Sequence, residues 1–309
     1  MTNFLNTRVA CSDEVLTGLE EGRGVVALET TIVVHGLPRP TNLEVAYECE
    51  AAVRAGGSIP ATIGVLDGRI VVGLSAAQLA DLAEPSRESV KLSTRDLGLA
   101  VGLARNGATT VAGTIGVAHR VGIDVMATGG LGGVHRDAAT SFDESADLTA
   151  LSRTPVLVVA SGVKSILDVG ATLERLDSLG VAVAGYRTHQ FPGFYRRDSG
   201  FTLEWSLESP HEVAHTFLAH RTWSATGLLL ANPLDPSRQL DSALHDEALA
   251  SALAEVQRLD VRGKDVTPVL LAEFARFTAG VSVLVNRDLV VANAGLAGEV
   301  ATALAAARR

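Results

Sequence analysis

Only three lysines, Lys91, Lys164 and Lys264, stand among the 26 basic residues; the other 23 are arginine. An amine can lose a proton and attack a carbonyl to form a Schiff base, which a guanidinium cannot do. Each lysine is therefore a candidate for chemistry that arginine could not supply. Lys164 has the most telling surroundings, because it follows the apolar run VLVVASG at the end of a predicted strand and the start of a predicted helix. Desolvation and a helix N-terminus both disfavour the ammonium form, which suits an imine-forming nucleophile. Lys91, in SVKLSTRD beside Arg95, reads as an anion contact, and Lys264, in RGKDVTP, is left open, an ordinary solvated lysine between helices being one reading.

Carboxylates and glycines add to this set. Glu29 ends the run VVAL. A carboxyl at such a strand end can have a raised pKa and act as a general acid; the alternative is a carboxylate satisfied by backbone amides or by Thr30 and Thr31. The segment TGGLGGVHR, residues 128–136, follows the run DVMA. Four glycines in five positions let backbone amides approach an anion, although a tight turn explains them equally well. His135 and Arg136 directly after them favour the anion. Asp143 and Asp147, in FDESAD, could offer oxygen ligands to Mg²⁺ or Mn²⁺, or Ser145 or Asp147 could cap a helix.

The elements that must position these groups alternate. Residues 25–29 read as a buried strand continued by 31–34, and 42–55 as a helix ended by Gly56-Gly57. Residues 60–66 and 69–74 flank Asp67-Gly68 as a β-hairpin, and Ser75 caps the next helix. Helix 96–106, strand 109–112, a helix to Val121 and strand 124–128 follow. Strand 156–160, helix 164–179 and strand 181–186 make a second cycle; helix 211–223 and strand 227–231 make a third. The last 60 residues are mostly helical, and residues 190–209 are the least periodic, a candidate long excursion or lid. This predicts an α/β fold, a three-layer α/β/α arrangement with a mostly parallel sheet and a small β-hairpin excursion, in one domain over residues 1–309.

Bulk properties bound the function. A formal charge of −9 argues against nucleic-acid binding, while a local positive cluster can still hold a small anion. Cys11 and Cys49 have neither disulfide-framework numbers nor CxxC spacing. MTNFLNTRVACSDEV lacks the basic patch and long apolar run of a signal peptide, and no uncharged apolar stretch reaches membrane-spanning length. A soluble cytoplasmic enzyme without membrane association is expected.

Together these segments resemble the pseudouridine-5′-phosphate glycosidase, or indigoidine-synthase-A-like, family. The matching stretches are VVALETT, HGLPRP, PATIGVLDG, KLSTRDL, RNGATTVAGT, ATGGLGGVHR, SFDESADL, SGVKSILDVG, ANP and GKDVTPVLLA, in order along nearly the whole chain. The resemblance implies reversible cleavage of the C–C glycosidic bond of pseudouridine 5′-phosphate to uracil and ribose 5-phosphate. It further implies dependence on a divalent metal, usually Mn²⁺, and a homotrimer. It places the Schiff-base nucleophile on Lys164, the proton donor on Glu29 and the metal ligand on Asp143. Substrate contacts fall on Lys91, Val111, Thr128, His135, Ser145, Ala146, Asp147 and Asn286. Two departures stand out: Leu284-Val285-Asn286-Arg287 and Ala292-Asn293 replace the family's Lys-Ser-Asn-Ile and paired asparagines, and FPGFYRRDSG carries Arg196-Arg197. The alternatives are a Schiff-base lyase or aldolase on another sugar phosphate or C-nucleoside, and a non-catalytic nucleotide-binding module. Intact Lys164, Glu29 and Asp143 argue against the latter.

Overall fold

The computed structural model describes residues 8–261 and 266–309, so Lys264 lies outside the described residues. Its strands are β1 (Val9–Cys11), β2 (Val25–Leu28), β3 (Ile59–Leu66), β4 (Arg69–Val72), β5 (Ser89–Leu92), β6 (Asn106–Thr109), β7 (Val125–Ala127), β8 (Leu157–Ala160), β9 (Ala182–Tyr186), β10 (Ser206–Leu207) and β11 (Leu228–Ala231). They form one eleven-stranded sheet, ordered β1-β4-β3-β2-β7-β8-β11-β9-β10, with β6 joining β3 to β5. Every pairing is parallel except β3 with β4 and with β6.

β2, β7, β8 and β11 are buried at every residue, so helices must cover both faces. The helix Val281–Ala307 packs on β2, β7 and β8, flanked by the helices Thr41–Ala55 and Pro210–Trp223. The helix Val111–Val121 packs on β2, β6 and β7. Val281–Ala307 has the length and mean hydropathy (1.6) of a membrane span, but it is largely buried inside the protein. Its apolar faces are consumed by the sheet and the neighbouring helices.

The hairpin forms as expected. Asp67 (φ 48°) and Gly68 (φ 73°) both take the positive dihedrals of a type I′ turn. The excursion is continuous with the sheet: the first half of β3 pairs with β2, and the second half with β4 and β6. The capping box at Ser75 also forms, with Gln78.

Four boundaries differ from expectation. Residues 31–34 do not continue β2; a single π-helical turn, Ile32–Gly36, follows instead. The Thr31 hydroxyl donates to the Thr109 carbonyl (2.9 Å), pulling the chain out of strand pairing. The expected strand 109–112 lies three residues earlier, as β6, because Thr110 caps Val111–Val121 by accepting from Gly113 N. The preceding helix accordingly ends early, running Thr94–Gly102. Finally, the helix expected from Lys164 begins at Val169, where Asp168 accepts from Ala171 N (2.9 Å). Lys164 sits in the turn before it, so the apolar strand, and not a helix terminus, sets its surroundings.

Candidate active site

β2, β7, β8 and β11 run side by side or nearly so, and their carboxyl ends open on one edge of the sheet, where parallel α/β folds bind ligands. Glu29 is the first residue past β2, Thr128 the first past β7, and Ser161 the first past β8. The glycine-rich loop then runs alongside the turn that carries Lys164. Ser161 N donates to Gly129 O (2.9 Å), Leu131 N to Gly162 O (2.9 Å) and Lys164 N to Leu131 O (3.2 Å). This short ladder fixes the backbone of Lys164 against the loop.

Asp147 holds the other side of that loop. Its Oδ1 accepts from Ala112 N and its Oδ2 from Gly132 N, both at 2.9 Å, with the residue only 5 % exposed. One carboxylate thus joins the loop to the N-terminus of Val111–Val121. The glycines are required by this packing. A Cβ on Gly132 would lie 2.2 Å from Ser145 Oγ, and one on Gly130 would lie 2.5 Å from the Phe194 ring. The loop is a tight turn, and Gly129, Gly130, Gly132 and Gly133 also line a cavity.

That cavity holds about 300 Å³ and is lined by Glu29, Lys91, Val111, Thr128, His135, Asp143, Ser145, Ala146, Asp147, Lys164 and Asn286, among others. Every residue to which the family resemblance assigned a role lines it. Burial raises the Glu29 carboxyl above its ordinary pKa, opposed in order by the Lys164 charge and the Thr128 hydroxyl; Asp147 pushes it further up and Lys91 down. Thr128 Oγ1 donates to Glu29 Oε1 at 2.5 Å. Asn286 is 4 % exposed, and its Oδ1 is buried with no hydrogen-bond partner among the described residues. A buried acceptor of that kind calls for a ligand group or water.

Some expectations are corrected. Arg136 does not face the cavity: its guanidinium donates to the carbonyls of Ile166 and Ser165 (both 3.3 Å) and braces the turn after Lys164. Arg196 and Arg197, on whose role the sequence is silent, do not line the cavity; Arg196 pairs with Asp246 at 3.8 Å and Arg197 donates to Leu234 O at 2.9 Å. The capping alternative for Ser145 is realised, since its hydroxyl accepts from Asp147 N (3.2 Å) at the start of the helix Ala146–Leu151. Residues 190–209 are no loose flap: Phe191, Phe194 and Tyr195 are at most 2 % exposed. The Phe194 ring instead forms part of the cavity wall, on a left-handed backbone (φ 63°). Ile32 and His35 of the π-helical turn, and Thr267, Pro268 and Leu271 of the helix Val266–Phe277, complete the lining. The stretches HGLPRP and FPGF were the signals for two of these walls.

Among the described residues no three His, Cys, Asp or Glu side chains assemble as a metal cage. Asp143 is part-exposed, with His135 Nδ1 3.9 Å from its Oδ2, while Glu144 is engaged by Arg175 at 2.8 Å. This donor set fits a hard divalent cation held by one carboxylate and mostly by water.

A family model described as indigoidine synthase A like protein matches residues 14–303. The chain belongs to the indigoidine synthase A-like family. A pseudouridine-5′-phosphate glycosidase of Salinispora tropica is 56 % identical, covering 95 % of this chain and 91 % of the relative. The corresponding protein of Saccharopolyspora erythraea is 50 % identical over 95 % and 97 %. Among solved structures, the prealnumycin C-glycosynthase AlnA in complex with ribulose 5-phosphate superposes with a TM-score of 0.89, at 37 % identity over 97 % of this chain and 98 % of that one. An indigoidine synthase A-like protein of Thermotoga maritima gives 0.87 at 35 % identity, over 96 % and 97 %. Family membership therefore spans the sheet edge and all the cavity walls described above.

Proposed function

We propose that this chain is a pseudouridine-5′-phosphate glycosidase that reversibly splits the C–C bond between uracil and ribose 5-phosphate. One observation carries the reading: the Lys164 amine and the buried Glu29 carboxyl open into one cavity and act electrostatically on each other. Relatives 56 % and 50 % identical carry that activity as their name. The C-glycosynthase complex supports a pentose phosphate as the sugar partner.

Ordinary glycosidases protonate an exocyclic oxygen or nitrogen between paired carboxylates. Here the leaving atom is C5 of uracil, and another electron sink is needed. Lys164 Nζ attacks C1′ as the C1′–O4′ bond breaks, and O4′ takes the proton of Glu29. The surplus proton on nitrogen returns to Glu29, which then delivers it to C5 of the base. The C1′–C5 bond pair restores the C5=C6 double bond of uracil, while the nitrogen lone pair forms the C1′=N iminium. Water adds to the iminium, and expulsion of the Lys164 amine frees ribose 5-phosphate as its open-chain aldehyde.

The other residues hold the substrate. Lys91, His135 and Asn286 take the phosphate, whose remote binding energy fixes the reacting geometry. Val111, Thr128, Ser145, Ala146 and Asp147 enclose the remainder. Asp143 would hold Mn²⁺ or a similar cation, which would supply positive charge for the uracil carbonyls. The reading includes a cytoplasmic homotrimer, in keeping with two unpaired cysteines and with the exposed Leu99, Leu103, Phe142 and Trp223.

A second reading, the same iminium chemistry on another C-nucleoside, draws support from the C-glycosynthase likeness. Uracil release from pseudouridine 5′-phosphate separates the two. We expect release that chelation abolishes and Mn²⁺ restores. Cleavage of a different C-nucleoside with none of pseudouridine 5′-phosphate would select the second reading, and full activity in verified metal-free protein would remove the role of Asp143.

A further inference from the structure

Asn293 lies on the helix Val281–Ala307, two turns beyond Asn286, and is 0 % exposed. Its Nδ2 donates to Thr128 O (2.8 Å) and Gly129 O (3.3 Å) and lies 3.1 Å from Ser161 Oγ. Its Oδ1 accepts from Asn232 Nδ2 (2.9 Å) and lies 3.4 Å from Ser161 Oγ. Thr128, Ser161 and Asn232 are the first residues past β7, β8 and β11, three neighbouring parallel strands. One carboxamide therefore ties three strand ends at the edge where the cavity opens.

Two of those ends carry the reacting groups. The Thr128 hydroxyl holds Glu29, and Ser161 begins the turn that leads to Lys164. A primary amide has two donors and one acceptor oxygen, and here protein partners occupy all of them. Asn293 has no capacity left for a ligand. An apolar replacement would take the Asn293 donor from the Thr128 carbonyl in the core, and the start of the glycine-rich loop would lose its side-chain tie to Ser161, keeping only the backbone ladder.

We infer that Asn293 is a positioning residue, which sets the placement of Glu29 relative to Lys164 without touching the substrate. It rests on the reaction proposed above, because the groups it places are that reaction's nucleophile and proton donor. Loss of such a tether misplaces reacting groups more than it weakens binding, so kcat carries the effect.

The test uses the full-length protein with Asn293→Asp, which keeps the shape but removes both donors, and Asn232→Ala, which removes one partner from outside the cavity lining. Two readouts are taken: uracil release from pseudouridine 5′-phosphate, and amide hydrogen exchange of peptides spanning 128–133 and 161–164. We expect kcat to fall about 10- to 100-fold for Asn293→Asp with KM within about threefold, and faster exchange confined to those peptides. Asn232→Ala should show the same pattern more weakly, which keeps the inference open to refutation if Asn293→Asp does not fold. A rise in KM at constant kcat, or unchanged exchange, overturns it. Inactive wild-type protein with the exchange pattern intact would overturn the proposed reaction and leave the tether standing.

Discussion

Glu29 is pulled two ways, since burial favours its neutral form while Lys164 and Thr128 favour its anion, and burial prevails. A carboxyl whose folded-state pKa is raised contributes stability below its unfolded pKa and loses it as pH rises through the folded value. Glu29→Gln should therefore match the wild type in acid and exceed it in stability as pH climbs above the ordinary value of 4.5. Its kcat should fall by about 10²- to 10⁴-fold. Thermal melts across a pH series, with rates alongside, check both; a variant that is less stable at neutral pH and fully active contradicts the assignment. Lys164 and Glu29 were legible in the sequence because each follows an apolar run, and the carboxyl ends of parallel strands are where α/β sites form. Arg136 was not legible, because the carbonyls it braces lie about thirty residues along the chain, at Ser165 and Ile166. Asp147 was legible as a site residue, but its grip on Ala112 and Gly132 depends on tertiary neighbours that no local pattern encodes.

Among the elements, the glycine-rich loop joins packing to chemistry most closely. Gly132 leaves no room for a methyl group beside Ser145 Oγ and Asp147 Oδ2, which would lie 2.2 and 2.7 Å from it. Gly132→Ala should cost about 1–3 kcal/mol and lower uracil release, because the displaced loop carries Thr128 at one end and pairs with Lys164 at the other. Unchanged melting and unchanged rate would show that the loop tolerates displacement. The hairpin was readable because Asp-Gly dictates its turn. The β6 boundary was not, since GATTVAG is short and apolar enough to suit strand or helix, and the cap at Thr110 decided it. The π-helical turn had no local signature either; the Thr31 hydroxyl bond to β6 accompanies it, a contact between segments far apart in sequence.

At the scale of the whole molecule, alternation of apolar runs and amphipathic stretches sufficed to anticipate a mostly parallel sheet covered on both faces. The order of its strands was not accessible, because pairing depends on which helices cross which face. The proposed homotrimer belongs to this scale. Light scattering should give about three times the chain mass of 32.1 kDa, and a monomer at working concentration would contradict it. The central claim is a covalent bond between ribose and one lysine. It is tested most directly by incubating the protein with ribose 5-phosphate, reducing with borohydride and mapping the adduct by mass spectrometry. The account predicts a ribose-phosphate adduct on Lys164 that disappears in Lys164→Ala; no adduct, or one placed equally on Lys91 or Lys264, would contradict it.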